Sequence, residues 1–501
     1  MFKNTIKSTL TKLLVFLLLF LSLCSWALAT NIGSSPDESY LVASIYCSTN
    51  QNLQLCKPDP DPSRPEHVLI SRGLIDKNCH GIEPQMESDL RLYKRVCSQQ
   101  VSTTQFNTRL YPKMYLSFAA QFITESKHLS IVIIRLLNSF LFTFLIFVIL
   151  VLSQKSVLDP ILSCLAVAVP VALFTIASIN TSSWAVTTAV ILSLIATLLT
   201  NNYQNIKSFV PHIISVLLLI FLGNSSRFDT KFSLSLIAVI AVLARFKVRG
   251  FISVKHIRQL SCAGILVALI TLFIQRKQAL QVLRIFKTLN SEMLLNAIHL
   301  SINNTVELPR FFAGFFGSWG LGSFDIKLAD TVTYFSIVSF ACLFAFSFRH
   351  SPRRAKAVLM VATLILSAMI LISHLYVRKP VGAVIQPRYF LPLFLGIVII
   401  AAANKTERYP NSLIITVAIL ATISNSIALR DTIRRYTTGQ DVFISKSLNN
   451  PIEWWWQFGP KPETVWLTGT LAFAALWAIL IYDRNKNEVD APISPAPELA
   501  N

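Results

Sequence analysis

The sequence predicts an all-α polytopic membrane protein with about 12 transmembrane helices and a long, disulfide-bearing first extracytoplasmic loop. Of its 501 residues, 53% are hydrophobic and only 14% are charged, compared with ~25% charged residues in soluble domains. Apolar runs of 14 to 25 residues recur along almost the whole chain, and a bilayer core of ~30 Å calls for runs of about this length. Because lipid offers no hydrogen-bond partners to the backbone, these runs must form helices.

The apolar runs define how the chain is organised. Residues 1–29 form the first transmembrane helix or a signal peptide, and 30–128 form an extracytoplasmic loop. Residues 129–482 hold the rest of the transmembrane bundle, with outer loops at 275–330 and 430–464. The predicted helices, which precede a polar cytoplasmic tail at 483–501, span 13–29, 129–152, 160–179, 184–200, 209–222, 232–245, 259–274, 331–348, 357–376, 391–404, 411–429 and 465–482.

The distribution of basic residues places both termini in the cytoplasm. In that orientation the short inner segments carry 18 lysines and arginines and the short outer segments carry 5, as the positive-inside rule predicts. The net charge of +20 therefore reflects topology and attraction to anionic lipid. The lipid bilayer is an expected partner and nucleic acid is not. We expect a multi-pass protein of the bacterial cytoplasmic (inner) membrane.

The N-terminus also has the features of a cleavable signal peptide. Lys3, Lys7 and Lys12 precede a stretch rich in leucine and phenylalanine, and a pattern of small residues ends at Ala29. Cleavage would leave eleven helices in the same orientation. We expect the first helix to be retained, because the site predicted below requires it.

Four cysteines fall in the first extracytoplasmic loop, and the other four lie within apolar helices. An oxidising compartment favours two disulfides among the loop cysteines, with three connectivities open. A zinc site is less favoured, because the spacings contain no CxxC pair. The loop cysteines are Cys47, Cys56, Cys79 and Cys97.

Two stretches are predicted to lie along the outer membrane surface. Residues 111–126 are apolar but too short to span a bilayer, and residues 276–300 interleave apolar with basic side chains, as helices in the headgroup layer do. Packing of 276–300 on the protein's own outer domain is an equally open alternative. The run Trp454-Trp455-Trp456 is expected in an interfacial aromatic belt, with a sugar platform as the alternative.

The adjacent acids Asp37 and Glu38 are the leading catalytic candidates. They follow the first apolar run by eight residues, which places two carboxylates at the outer boundary between lipid and water. A membrane enzyme that activates a hydroxyl for attack on a lipid-borne substrate needs a carboxylate at this depth. The alternative is that both acids only solvate the end of a helix.

A second group of candidates opens the tenth predicted helix from the outside. Gln386, Arg388 and Tyr389 are predicted to bind a lipid phosphate, because a guanidinium offers a planar donor fork to phosphate oxygens. An ordinary snorkelling arginine is the alternative. Arg135 lies within an apolar helix and is expected to face the bundle. The remaining polar candidates at the outer boundary are Tyr111, Asn180, Asp325, His374 and Arg378.

Common catalytic motifs are missing from the sequence. It contains no P-loop, GxSxG, HExxH or dinucleotide-binding fingerprint, so nucleotide hydrolysis and zinc proteolysis have no support. The motifs that are present are short and mostly polar, and they lie near the predicted outer face.

Six of these short motifs occur in the order found in one protein family. They are Pro36-Asp37-Glu38, Tyr111-Pro112 with Tyr115, Arg135 with Asn138, Ser178-Ile179-Asn180-Thr181-Ser182, Gly322-Ser323-Phe324-Asp325, and Gln386-Pro387-Arg388-Tyr389-Phe390-Leu391-Pro392. Together they resemble the bacterial family called domain of unknown function 2142, over about residues 15–430. Members of that family look like distant relatives of the type C membrane glycosyltransferases.

Two positions depart from the pattern of that family. Ser39, Tyr40 and Leu41 follow the acid pair, where the family commonly has a histidine within three positions. Pro387 stands where glycine commonly precedes the arginine and tyrosine. The first departure weakens any step that depends on histidine, and the second stiffens the backbone before Arg388 without removing its charge.

The resemblance implies an enzyme that takes a sugar from a polyprenyl-phosphate carrier and transfers it to an envelope glycan or lipid acceptor on the outer face. By matched position, Asp37 would act as a general base or would orient the acceptor or a divalent cation, with Glu38 assisting. Arg388 would stabilise the phosphate leaving group. The metal itself stays unknown, and no other cofactor is expected.

A transporter or flippase of lipid-linked sugars is the alternative function, with a polysaccharide polymerase or ligase between the two. Transporters place ionisable groups or broken helices near the bilayer midplane, whereas the charges here gather at the outer boundary. A non-catalytic scaffold is a third class. The enzyme hypothesis predicts that Asp37 and Arg388 line one outward-facing cavity with a lipid-sized groove beside it.

Overall fold

The computed structural model describes residues 2–48, 56–75, 99–104, 111–153, 157–199, 221–223, 225–226, 228–245, 291–439, 447–449, 452 and 454–489. Cys79, Cys97, the predicted helix 259–274 and most of the predicted helix 209–222 lie outside these residues. The same is true of the basic part of the stretch 276–300.

Most of the described chain is helical. The helices are α1 (Phe2–Leu28), α2 (Glu38–Tyr46), α3 (Arg72–Ile75), α4 (Lys113–Ala120), α5 (Lys127–Leu152), α6 (Leu158–Ala168), α7 (Val171–Ile176), α8 (Thr181–Leu199), α9 (Phe228–Arg245), α10 (Ser291–Val306), α11 (Leu308–Ala313), α12 (Asp330–Arg349), α13 (Arg353–Val377), α14 (Leu391–Asn404), α15 (Asn411–Thr437) and α16 (Pro462–Val489). Short 3₁₀ turns cover Gly314–Phe316 and Pro387–Tyr389.

Seven helices in the described part of the chain are long and apolar enough to cross a membrane: α1, α5, α8, α12, α13, α15 and α16. The apolar helices α6, α9 and α14 are shorter. This composition is that of a polytopic membrane protein. The total of 12 spans stays a prediction, because two of the predicted helices fall largely outside the described residues.

Two of the differences from the helix boundaries predicted by the apolar runs affect the region of the site. The predicted helix 160–179 is two helices, α6 and α7, which are separated at Pro170 because proline has no N–H to continue the helical hydrogen bonds. The helix predicted to end at residue 429 continues as α15 to Thr437. Its last turns are charged, and they are held by a tertiary contact in which Asp431 accepts a hydrogen bond from the Ala329 N–H at 3.0 Å.

The first helix is an integral part of the bundle. It packs along α16 and α5, and the indole of Trp26 donates a hydrogen bond to the side-chain oxygen of Asn425 on α15 at 3.0 Å. A Cβ added to Gly469 on α16 would lie 2.6 Å from the Ser25 side chain, so only glycine permits this close approach of two helices. If the first helix is retained, as the sequence predicts, it must pack against the bundle, and these contacts fit that expectation.

Helix α14 lies at the centre of the bundle. Every residue from Leu391 to Ala402 is buried, and α6, α8, α9, α12 and α13 pack around it. A helix that is apolar on all sides is stable only when protein or lipid surrounds it. Because α14 begins beside Arg388 and ends beside Lys405, it separates two clusters of charged side chains by roughly 20 Å.

The loop between α1 and α5, which is predicted to be extracytoplasmic, contains a small antiparallel sheet, so the all-α prediction was wrong for this region. Strands β1 (Cys56–Pro58), β2 (Val68–Ser71) and β3 (Gln100–Thr103) pair in the order β1-β2-β3. The sequence signal is only three or four residues per strand, and prolines between β1 and β2 obscure it. A disulfide between Cys47 and Cys56 joins the end of α2 to β1. The second predicted disulfide stays a prediction, because Cys79 and Cys97 lie outside the described residues.

A buried ion cluster ties three helices together at the far end of α14. Asp159 on α6 pairs with Arg484 on α16 at 2.8 Å and also with Lys405, the residue after α14. Arg484 donates further hydrogen bonds to the Asn411 side chain at 2.7 Å and to the carbonyl of Tyr409. Burial lowers the pKa of Lys405, and the neighbouring Asp159 opposes this change by favouring the charged amine.

The Asp159→Asn variant should unfold more readily than the wild type. Two buried cations would then lack a carboxylate, and breaking a buried ion pair in this way typically costs about 3–5 kcal/mol. Thermal and denaturant unfolding of the purified protein in detergent would measure the loss. Asp330→Asn, at an exposed carboxylate in the first turn of α12, is the matched control and should change stability little. Equal stability of both variants would contradict the assignment.

Candidate functional site

One buried arginine holds the segment that leads from α1 to α2. Arg135 on α5 is only 1% exposed. Its Nη1 donates hydrogen bonds to the carbonyl oxygens of Ala27 at 2.9 Å and Thr30 at 2.7 Å, and its Nη2 donates to that of Asn31 at 2.6 Å. A buried guanidinium must find acceptors for its donors, and the backbone of this segment supplies three.

Glu38 supplies the counter-charge for Arg135. The guanidinium binds both carboxylate oxygens, with Nε 3.0 Å from Oε1 and Nη2 2.8 Å from Oε2. Oε2 also accepts a hydrogen bond from the Ser35 N–H at 3.1 Å. Glu38 is fully buried and both of its oxygens are engaged, so the expected assistance to Asp37 in catalysis is not what this geometry offers.

Asn180 fixes the residue before the acid pair. Its side-chain amide donates a hydrogen bond to the carbonyl of Pro36 at 2.6 Å, while its side-chain oxygen accepts one from the Ser182 N–H at 2.8 Å. Asn138 on α5 holds the same turn by donating to the carbonyl of Ser178 at 2.8 Å. The turn between α7 and α8 therefore positions the backbone that carries Asp37.

The tryptophan run contacts the same segment from the other side. The indole of Trp456 donates a hydrogen bond to the carbonyl of Leu28 at 2.8 Å, and its ring lies 5.7 Å from Cζ of Arg135. Trp454 and Trp456 are both buried. These rings pack inside the protein, so they do not form an open sugar platform.

Asp37 is turned away from Glu38 by its backbone. Its φ of 62° lies in the left-handed region, which aspartate tolerates better than most residues. The side chain is 35% exposed, and Oδ2 accepts a hydrogen bond from Nη2 of Arg388 at 2.8 Å. Two adjacent acids thus serve different partners, one inside the protein and one near its surface.

Arg388 is a buried arginine that uses only part of its hydrogen-bonding capacity. It lies on the 3₁₀ turn before α14, is 5% exposed and stacks on Tyr389, with Cζ 5.0 Å from the ring centre. Nη2 binds Asp37 and lies 3.3 Å from the Tyr389 hydroxyl. Among the described residues, Nε and Nη1 have no hydrogen-bond partner. A buried guanidinium with two unpaired nitrogens is unfavourable unless an anion binds it.

Arg388 lines a small cavity of about 30 Å³. That volume holds a water molecule and is much smaller than the lipid-sized groove predicted from the sequence. Across the cavity, a Cβ on Gly314 would lie 2.4 Å from the ring of Pro387, so glycine at 314 makes room for the proline that stands in the family's glycine position. Other lining residues are Pro36, Phe174, Thr175, Gly322, Phe324 and Gln386.

The structure brings Gln386, Arg388 and Asp37 together and places other candidates elsewhere. His374 is fully buried in α13, where its Nδ1 lies 2.8 Å from the carbonyl of Ile370. Arg378 follows α13 and is exposed, with a φ of 52°. Tyr111 is half-buried ahead of α4. None of these three residues lines the cavity beside Arg388.

The sequence analysis missed Arg435 and Tyr436 at the end of α15. Asp325, a predicted candidate, lies 3.8 Å from Nη2 of Arg435 and accepts a hydrogen bond from the Tyr436 hydroxyl at 3.3 Å. The sequence does contain a signal for a longer helix: Asp431, Arg434 and Arg435 have the spacing of one helix face directly beyond an apolar run. Because the helix was predicted to end at residue 429, these residues were not assigned to it.

The residues beside the cavity do not form a resident cation site. The described ranges contain no group of three or more His, Cys, Asp or Glu side chains that could hold a metal ion. Glu38 binds Arg135. Asp37 does not line the cavity as the sequence predicts, but it binds Arg388, which does.

One family model matches this chain. Its description is "Predicted membrane protein (DUF2142)", and it matches residues 20–397. This range contains the acid pair, Arg135, Asn180 and Arg388, and it ends before α15 begins. No curated protein and no solved structure matches the chain.

Glu38→Gln should destabilise the fold, because it leaves the Arg135 guanidinium buried without a counter-charge. The expected loss is about 3–5 kcal/mol, measured as unfolding of the protein in detergent. The control is Glu307→Gln, which breaks an exposed pair with Arg310 at 3.3 Å and should cost less than about 1 kcal/mol. Similar losses in the two variants would show that Glu38 does not anchor this segment.

Proposed function

The chain belongs to the DUF2142 family of predicted membrane proteins, and we propose that it is a membrane glycosyltransferase. In this proposal it transfers a sugar from a polyprenyl-phosphate carrier to an envelope glycan or lipid acceptor on the outer face of the membrane. The site is the pair of Asp37 and Arg388 together with the cavity that Arg388 lines. Sugar transfer requires an anion-binding group beside a base. Arg388 and Asp37 are charged residues of these two kinds, and each lies near the end of an apolar helix.

The unpaired donors of Arg388 carry this proposal. The guanidinium is almost completely buried, lines the cavity and keeps Nε and Nη1 without partners among the described residues. A guanidinium recognises phosphate by donating N–H hydrogen bonds to its oxygens. Because Nη2 binds Asp37, Nε and Nη1 remain, each on its own edge of the guanidinium, to donate to oxygens of a bound phosphate.

The proposed reaction is a displacement at the anomeric carbon of the donor sugar. The acceptor oxygen forms a new bond to that carbon while the bond from the carbon to the phosphate oxygen breaks. The electron pair leaves with the phosphate, and Arg388 stabilises the added negative charge. The proton of the acceptor hydroxyl passes to the Asp37 carboxylate. A positioned base of this kind typically accelerates a reaction by ~10²–10⁴-fold.

Arg135, Glu38 and Asn180 are positioning residues in this mechanism. Arg135 and Glu38 lock the segment that precedes α2, and Asn180 holds the carbonyl of Pro36. Asp37 lies between these two anchors. Catalytic groups must be held in place by such supporting contacts, because a displacement of about 1 Å can reduce the rate by 10²-fold. The two acids therefore have different roles: Glu38 anchors the segment before α2, and Asp37 is the base.

One observation favours a transporter of lipid-linked sugars as the second candidate. Helices α6 and α7 form a single span that is broken at Pro170, and Phe174 and Thr175 of the second half line the cavity. Discontinuous helices commonly form transport sites. The two candidates differ in chemistry: a transporter moves its substrate unchanged, whereas a transferase releases the free polyprenyl phosphate.

Asp37→Asn and Arg388→Gln should each abolish sugar transfer. The first removes the base and the second removes the group that stabilises the leaving phosphate, so each rate should fall by roughly 10²–10⁴-fold. The measurement is release of polyprenyl phosphate from a polyprenyl-phosphate sugar by the purified full chain in nanodiscs. Envelope glycans of cells that carry each variant provide a second measurement.

Two matched variants control for general damage at the protein surface. Asp330→Asn and Arg310→Gln change an exposed acid and an exposed arginine and should keep full activity. All variants should first be shown to unfold at similar temperatures. Translocation of the intact lipid-linked sugar without release of its carrier would favour the transporter. Unchanged glycans in both site variants would contradict either function.

A further inference from the structure

A second arginine–tyrosine pair repeats the arrangement of the first. Arg435 is 2% exposed, and its Cζ lies 5.2 Å from the ring centre of the adjacent Tyr436. Arg388 and Tyr389 are related in the same way at 5.0 Å. Each guanidinium faces one carboxylate through Nη2, Arg388 facing Asp37 and Arg435 facing Asp325.

The two guanidinium groups also leave the corresponding nitrogen atoms without hydrogen-bond partners. Nε and Nη1 of Arg435 have no partner among the described residues, as is also true of Arg388. The contact of Arg435 with Asp325 is long, 3.8 Å, compared with 2.8 Å between Arg388 and Asp37. A buried cation with so little compensation destabilises the protein unless an anion completes its surroundings.

Both pairs contact the same short segment of chain. Tyr436 hydrogen-bonds with the side chain of Ser34, and Arg388 binds Asp37. Ser34 and Asp37 are three residues apart, so the backbone between them spans at most about 10 Å. The two pairs therefore approach one stretch of backbone, one through Arg388 and the other through Tyr436, with Pro36 of that stretch in the cavity wall.

The loop that carries Asp325 forms another wall of the same cavity. Gly322 and Phe324 line it, and Asp325 is fixed by a hydrogen bond from the Ser323 N–H to its Oδ1 at 2.9 Å. A Cβ on Gly322 would lie 2.6 Å from Oδ1 of Asp325 and 2.9 Å from the carbonyl of Ser34. Glycine at this position thus allows Asp325, the carboxylate that faces Arg435, to pack against the cavity wall.

From this arrangement we propose that Arg435 forms a second anion subsite, so that the site binds a polyprenyl carrier with two phosphates more tightly than one with a single phosphate. Arg388 binds the phosphate next to the sugar, and Arg435 binds the second phosphate, which is nearer to the lipid chain. This inference rests on the proposed function, because it assigns the carrier that Arg388 recognises. Asp325 supplies the counter-charge of Arg435 while the subsite is empty.

The experiment compares two probes with the full chain in nanodiscs of phosphatidylcholine. Farnesyl phosphate and farnesyl diphosphate carry the same lipid chain and differ by one phosphate. The wild type should bind the diphosphate at least about tenfold more tightly, because hydrogen bonds to a charged group are added. Titration calorimetry measures both affinities. Equal affinities of the wild type for the two probes would overturn the proposal without any variant.

Variants then assign the preference to a residue. Arg435→Gln should remove the tenfold preference and leave binding of the monophosphate unchanged, whereas Arg388→Gln should weaken both probes. Arg430→Gln is the matched control, because Arg430 is on the same helix and stacks on Trp466 at 5.8 Å; it should keep the preference. A preference that survives Arg435→Gln contradicts the subsite.

The outcomes separate this inference from the proposed function. If Arg388→Gln leaves both affinities unchanged, Arg388 does not bind phosphate and the proposed function fails together with the subsite. If Arg388→Gln weakens both probes while the wild type shows no preference, only the second subsite fails. Arg435→Lys keeps the charge without the planar fork, and it serves as the test variant if the glutamine variant does not fold.

Discussion

The buried guanidinium of Arg135 is the contact on which the site depends. It links three backbone carbonyls of one short segment and the carboxylate of Glu38, so the chain between α1 and α2 has one well-defined path. A cation inside a membrane bundle is tolerated only when its donors are paired. The segment that carries Asp37 therefore also supplies the hydrogen bonds and the counter-charge that compensate the burial of Arg135.

The arginines of this bundle fall into two kinds, and hydrogen bonding distinguishes them. Arg135 uses its nitrogens on protein acceptors, and Arg484 binds Asp159, Asn411 and a backbone carbonyl. Arg388 and Arg435 are equally buried but keep two nitrogens each without partners in the described part of the chain. Arginines whose nitrogens are hydrogen-bonded to the protein join helices. Arginines that keep nitrogens without partners are suited to bind an anion.

The cavity has a wall built by close packing of glycine against other residues. Gly314 leaves room for Pro387, and Gly322 leaves room for the carbonyl of Ser34 and for Asp325. Phe324, which lines the same cavity, has a φ of 68°, and such a backbone is costly for a bulky residue. Strained and tightly packed positions of this kind persist only where the surrounding contacts determine them.

The sequence by itself determined the class of protein and the approximate positions of most helices. Long apolar runs in a chain with few charges admit only membrane-spanning helices, because the backbone has no other partner in lipid. It also identified Asp37, Glu38, Arg135 and Arg388 as notable polar residues. It did not locate the small sheet or the charged end of α15, because their signals are short or lie outside the apolar runs.

Tertiary structure alone decided which of these polar residues act together. Asp37 and Arg388 are 351 positions apart, and Glu38 and Arg135 are 97 apart, so no local pattern could pair them. Adjacent acids look alike in a sequence, yet Glu38 is enclosed by the fold, whereas Asp37 is partly exposed and binds Arg388. Burial and partner geometry distinguish an anchoring charge from one available to a ligand, and both arise only when distant segments pack together.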